Sequence, residues 1–191
     1  MRATIWLLAI LAACATPARP AQLRPDAWAQ PVAVTGGPDN CYAVSSGLYR
    51  SAQPSDDEMR ALHAFGVRSV VNLRDHHSDR DDVEGTGLTL FEVPTDTSDM
   101  DYDDLVRALA VLRQAPKPAV VHCWRGSDRT GTVVAGWRVA VDGWTPQQAA
   151  DEMVAGGFGH SRWFAHLPEL VRSLDPARLR ADVQAACSGT P

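Results

Sequence analysis

Beyond the amino-terminal run at 5–14, apolar residues concentrate in three short stretches, at 67–73, 88–93 and 119–122, and over 56–65 and 102–114 they return at about every third or fourth position. Short Val-rich runs bounded by turn formers read as strands buried on both faces, whereas the wider spacing reads as helices with one buried side. Ser55-Asp56-Asp57-Glu58 is a capping box that opens a helix to about Phe65, and Gly66 closes it. A second helix is predicted over 102–114, where Leu105, Leu109 and Leu112 share a face and Asp101 is placed to cap. A third runs over 130–141. Thr145-Pro146-Gln147-Gln148 opens a fourth with proline in its first turn, and a fifth is predicted over 163–173. Strands alternating with helices predict an α/β fold: a single domain with a central, mostly parallel sheet and helices on both faces.

The third apolar stretch ends in His122-Cys123-Trp124-Arg125-Gly126-Ser127-Asp128-Arg129-Thr130-Gly131. A loop of five residues between a cysteine and an arginine, leading from a strand into a helix, can curl so that its backbone N–H groups converge on one anion. The same donors stabilise a thiolate, which makes Cys123 a nucleophile in its resting form. Arg129 offers a planar two-pronged donor set that matches two phosphate oxygens. Thr130 brings a hydroxyl near the sulfur, where it can ease departure of the thiolate from a phosphocysteine. Gly126 and Gly131 permit tight turning and close approach.

In its His-Cys-x-x-Gly-x-x-Arg-Thr-Gly form this segment resembles the signature of the cysteine-dependent protein tyrosine phosphatase superfamily. Upstream, Gly47-Leu48-Tyr49-Arg50-Ser51-Ala52-Gln53-Pro54-Ser55 and Val70-Val71-Asn72-Leu73-Arg74 are similar to segments of small bacterial dual-specificity-like enzymes, so the resemblance spans about residues 40 to 175. It implies a phosphatase acting through a phosphocysteine, with protein phosphotyrosine as default substrate. Inositol phosphates, phosphoinositides or another small phosphomonoester are the alternatives within that chemistry, and a non-catalytic phospho-ligand-binding module is the alternative outside it. In that family an Asp on a loop upstream of the Cys protonates the leaving group. Here the loop is 94–100: Asp96 and Asp99 lie 27 and 24 residues before Cys123. Asp96, nearest the strand end, is favoured, with Asp99 the alternative. His122 supports the loop through hydrogen bonds.

Trp124, Arg125, Gly126, Ser127, Asp128 and Arg129 form the expected substrate-binding set. Arg125 adds positive charge suited to a highly phosphorylated ligand, and Asp128 offsets it. Lipid-directed relatives of the tensin type carry more Lys here. Asp128 is read either as a structural acceptor or as a supplementary acid. The mixed stretch 74–82 contains His76, His77 and several Asp, but its spacing is not that of metal ligands, so it reads as a solvated, mobile loop near the site. The chemistry needs no metal or cofactor. Trp137 and Trp163 read as core or pocket wall, and His160 and His166 as surface.

The first fourteen residues carry Arg2 ahead of an apolar run too short to cross a bilayer core of about 30 Å. Leu11-Ala12-Ala13-Cys14 resembles the bacterial lipobox. The expected layout is a signal peptide over 1–13, a lipidated Cys14 with a Pro-rich tether over 14–38 (Pro17, Pro20, Pro25, Pro31 and Pro38), and the phosphatase domain over 39–191. The implied location is exported: an outer-membrane lipoprotein facing the periplasm and held to the membrane by its anchor, or alternatively a soluble periplasmic protein. With Cys14 and Cys123 assigned, Cys41 and Cys187 remain to form one disulfide or to stay as two thiols. A net charge of −5 argues against a nucleic-acid partner, and an apolar fraction of 45% suffices for one domain with a real core.

Overall fold

Six strands assemble into one sheet in the computed structural model, which describes residues 24–189. They are β1 (Gln30–Pro31), β2 (Tyr42–Ser45), β3 (Leu48–Ser51), β4 (Ser69–Arg74), β5 (Thr89–Thr95) and β6 (Ala119–His122), in the order β1-β2-β3-β6-β4-β5. β3, β6, β4 and β5 run parallel, while β1 and β2 add an antiparallel edge. The expected α/β fold with a mostly parallel sheet is therefore present, and all four parallel strands point their carboxyl ends the same way.

Both faces are covered, but unequally. Val70 pairs with Val120 and Val71 with Val121 across β4 and β6, so successive residues point to opposite faces. Val70 and Val120 meet Met59 and Leu62 of α1 (Asp56–Phe65). Val71 and Val121 join a larger core built by α2 (Tyr102–Gln114), α3 (Asp128–Ala140), α4 (Pro146–Ala155), α5 (His166–Arg172) and α6 (Pro176–Ser188). α3 is the central member, buried without interruption from Arg129 to Val139. Capping boxes close α1 (Ser55 with Glu58), α2 (Asp101 with Asp104) and α4 (Thr145 with Gln148), each satisfying orphan N–H groups reciprocally.

Several elements differ from expectation, each for a physical reason. β5 continues through Pro94 to Thr95, which proline allows because β5 is an edge strand. The predicted helix over 163–173 is a 3₁₀ turn (Arg162–Phe164) followed by the short α5, and Trp163 stands 92% exposed instead of packing. α6 has only Leu179 and Val183 fully buried, too sparse a stripe to read locally. Cys41 and Cys187 are free thiols. Cys41 is buried at the entry to β2, whereas Cys187 ends α6 with its sulfur 3.7 Å from the Ala110 carbonyl, so the two engage different neighbours. The signal segment and Cys14 lie outside the described residues. Among the described residues no helix is long and apolar enough to cross a membrane.

Residues 24–38, read from sequence as part of the tether, pack onto the domain. Ala29 is fully buried and its N–H donates to Glu152. Arg138 on α3 grips Glu152 on α4 through Nε–Oε2 and Nη2–Oε1 contacts, both 2.9 Å, and also donates to the Ala27 and Val44 carbonyls. This buried pair ties α3, α4, β2 and the amino-terminal segment together. Glu152→Ala removes the two-pronged partner of the buried Arg138 guanidinium and leaves it only the Asp142 carboxylate, 2.9 Å from Nη1, a change that costs up to about 3–5 kcal/mol. Urea unfolding of the variant is expected to show a midpoint lowered accordingly, and an unchanged midpoint would mean that the pair contributes nothing.

Candidate active site

The loop from β6 to α3 owes its shape to bonds made behind it. The Trp124 carbonyl accepts from Gln53 N–H at 3.0 Å, and that of Arg125 from Asn40 Nδ2 at 2.8 Å. Gly126 and Ser127 present their carbonyls to Arg50 Nη2 at 2.7 and 3.5 Å, and Ser127 also accepts from Gly131 N–H. Four successive carbonyls are thus drawn outward, and the N–H groups of Trp124, Arg125, Gly126 and Ser127 have no protein acceptor among the described residues. They are left to converge on an anion. Gly126 has φ +67° and lies against the Ser51 carbonyl, where any β-carbon would collide.

Cys123 sits 4% exposed at the base of a pocket of about 190 Å3. Asp128 and Arg129 line it beside the thiol, and Thr97, Trp124, Arg125 and Phe164 form its walls. Arg129 Nη1 is fully occupied, donating to Asp75 Oδ1 at 2.9 Å, to the Thr95 carbonyl at 2.8 Å and to the Leu73 carbonyl at 3.3 Å. All three acceptors lie at the carboxyl ends of β4 and β5, so the sheet itself orients the guanidinium. Nε and Nη2 are left as the edge that can meet two oxygens of one ligand. Partial burial works against ionisation of Asp75, but its own backbone N–H and Arg129 outweigh it and hold the carboxyl below the usual carboxylate range. A larger groove of about 540 Å3 beside α2, lined by Phe91 and Val106, contains neither Cys123 nor Arg129.

The structure brings most of the sequence-predicted set together. His122 is fully buried, and its Nε2 meets Asp79 Oδ2 at 2.7 Å; Asp79 also accepts from Gln53 Nε2 at 2.8 Å. Trp124 and Arg125 are exposed on the rim, with the Arg125 guanidinium 5.3 Å from the Trp124 ring centroid. Ser127 turns its hydroxyl away from the pocket and donates to the Phe158 carbonyl at 2.7 Å, which makes it a brace and not a ligand group. Asp128 is held by Ser161 N–H at 2.9 Å, and His160 Nδ1 lies 2.9 Å from it, which fits the structural-acceptor reading. Thr130 Oγ1 is buried and has no hydrogen-bond partner among the described residues. Asp96 and Asp99 are both exposed on the turn after β5. Asp96 caps that turn by accepting from Ser98 N–H at 2.8 Å, and it stands next to Thr97 on the pocket wall.

Two expectations need correction. The stretch 74–82 is not a freely solvated loop, because Asp79 is fully buried beneath His122 and Asn72 Nδ2 pins the His77 carbonyl at 2.9 Å. His160 is not a surface residue: its side chain is 6% exposed against Asp128. Asn40, Arg50, Asp75, Asp79, Phe158 and Ser161 were not singled out from sequence. Only Arg50 carried a signal, in the Tyr49-Arg50-Ser51 segment, since an arginine in a strand-like stretch needs an inward partner.

Residues 44–143 match the family model described as "Polymorphic toxin system, DSP-PTPase phosphatase". The chain is 33% identical over 166 residues to the dual specificity protein phosphatase TpbA of Pseudomonas aeruginosa, an alignment covering 85% of this chain and 74% of that one. It superposes with a TM-score of 0.72 on the crystal structure of P. aeruginosa TpbA, at 31% identity and covering 84% of this chain and 98% of that one. The inositol diphosphatase DSP2 of rice is 29% identical, over 56% of this chain and 57% of its own.

Asp79→Asn removes the carboxylate that orients His122. Losing a buried hydrogen bond to a charged group costs about 1.5–3 kcal/mol of stability, so the urea unfolding midpoint of the variant is expected to fall accordingly. An unchanged midpoint would show that His122 needs no such partner.

Proposed function

The chain belongs to the DSP-PTPase family of cysteine-dependent phosphatases, and we propose that it dephosphorylates phosphotyrosine in protein through a phosphocysteine on Cys123. The observation that carries this reading is the pocket base: a cysteine under convergent N–H groups, beside an arginine whose far edge is free for two oxygens. Cys123 attacks phosphorus in line and the P–O bond to the leaving group breaks. The loop amides and Arg129 hold the non-bridging oxygens as charge builds on them. Asp96 delivers its proton to the leaving oxygen, then as carboxylate takes a proton from the water that releases phosphate and restores the thiolate. Its support is position: it follows directly on Thr95, whose carbonyl holds Arg129. The unpartnered hydroxyl of Thr130 suits a donor to the departing sulfur.

Phosphotyrosine is favoured by the walls. The thiol is deeply set, and Trp124 and Phe164 offer aromatic surface to an aryl phosphate. One TpbA crystal structure is described as a complex with phosphotyrosine; the chain is 30% identical to it, with a TM-score of 0.71 and coverage of 88% of this chain and all of that one. Asp128 beside Arg129 opposes a second phosphate group in the pocket, which places inositol phosphates second. The short apolar leader and Leu11-Ala12-Ala13-Cys14 support an exported, lipid-anchored protein facing the periplasm.

Hydrolysis of p-nitrophenyl phosphate, a phosphotyrosyl peptide, a phosphoseryl peptide and an inositol pyrophosphate by the purified chain tests the reading. Cys123→Ser is expected to abolish turnover of every substrate. Asp96→Ala is expected to lower kcat about 10²- to 10⁴-fold on the peptide, with Asp99→Ala within about threefold of the parent. Fastest turnover of the inositol pyrophosphate would overturn the substrate assignment, and a folded, reduced, inactive parent would overturn the enzyme.

A further inference from the structure

Arg50 is fully buried in β3, directly behind the nucleophile loop, and among the described residues its charge has no carboxylate partner. Nη2 donates to the Gly126 and Ser127 carbonyls; Nε and Nη1 have no hydrogen-bond partner among those residues. The acid that acts on it most strongly is Glu152, yet both Glu152 oxygens are taken by Arg138 and the Ala29 N–H. Its guanidinium lies 3.7 Å from the centroid of the Phe158 ring, which Arg24 approaches at 4.8 Å and Tyr42 meets edge-on. Beside it the first turn of α3 carries Gly131, where a β-carbon would be in ordinary contact with Nη2 at 3.8 Å and would press on Met153 Cγ at 3.1 Å. Burial pulls the Arg50 pKa down to about 10, with Glu152 and then Cys123 acting the other way, so it remains charged at neutral pH.

A buried charge is tolerated only where an opposite charge or a full set of hydrogen bonds compensates it. Two carbonyls and a ring face are incomplete compensation for a guanidinium. After Glu152 the ionisable groups whose charge acts on Arg50 are Cys123 and Tyr42, and of these Cys123 opens the loop whose carbonyls Arg50 binds. We propose that Arg50 is a positioning residue whose uncompensated charge beneath the loop holds Cys123 as the thiolate, while its bonds to Gly126 and Ser127 keep the loop amides turned inward. Arg129 then meets the substrate from above and Arg50 balances the nucleophile from below. The inference rests on the reading of Cys123 as nucleophile, but its test needs no substrate.

The test is the rate at which neutral iodoacetamide alkylates Cys123 in the purified chain at pH 6 and at pH 9, with folding of each variant followed by thermal unfolding. Arg50→Gln keeps a donor for the loop carbonyls and loses the charge. It is expected to react at least about tenfold more slowly than the parent at pH 6, with the deficit closing at pH 9, where any thiol ionises more readily. Arg50→Lys keeps the charge and is expected within about threefold of the parent at both values. Asn40→Ala loosens the loop without changing charge and is expected to show the same ratio to the parent at both. Parent-like reactivity of Arg50→Gln at pH 6, or a deficit as large at pH 9 as at pH 6, overturns the proposal. If Arg50→Gln does not fold, Arg50→Lys decides alone: reactivity near the parent supports a role for charge, and a tenfold loss independent of pH overturns it. Failure of the chain on phosphotyrosine with these rates intact would refute the substrate and leave Arg50 in place.

Discussion

The constraint on which the rest of the structure depends is the outward bonding of four consecutive carbonyls, from Trp124 to Ser127. A peptide unit cannot turn its oxygen one way without sending the neighbouring N–H another, so binding the carbonyls from behind determines what the front presents. The bonds come from well separated parts of the chain: Asn40 before β2, Arg50 in β3, Gln53 after it and the first turn of α3. The bonds from Arg50 and Gln53 require β3 to lie alongside β6, where Ser51 pairs with His122. The anion site is therefore a product of sheet assembly and not a property of the ten-residue motif by itself.

The same logic separates what the sequence disclosed from what it withheld. β6, α1 and α2 were legible because each carries its own evidence: an unbroken Val run, a capping box and a leucine face. The Cys123 to Arg129 spacing was legible for the same reason. The supporting shell was not. Arg50 meets Gly126 across 76 residues of sequence and Asp79 meets His122 across 43, and no local pattern encodes such pairings. β3 hid because two of its four residues are the buried polar Arg50 and Ser51, which break the apolar signature. Asp79 hid in an acidic stretch where most carboxylates do face water. Residues 24–38 looked like a tether because proline spacing reports backbone stiffness and says nothing about whether Ala29 has a buried acceptor waiting.

Polar burial also explains how so small a domain holds a precise site. Arg50, His122, Asp79, Arg138 and Glu152 are all essentially inaccessible, and each links at least two elements. Arg138 and Glu152 neutralise each other and lock the helices on the large face. His122 with Asp79 fixes the end of β6. Arg50 alone is left with its charge unspent, at the one place where the chemistry calls for a positive field under a nucleophile.

The amino-terminal strap has a mechanical consequence. Arg24 donates to the Gly156 carbonyl and stacks its guanidinium on Phe158, whose own carbonyl braces both Ser127 and Asn40. A displacement of Arg24 is thus felt at the backing of the nucleophile loop, through Phe158, and at β2, through Tyr42, whose ring it faces at the same 4.8 Å. The amino-terminal segment and the loop share an anchorage, and a shift in one is passed to the other by way of Phe158.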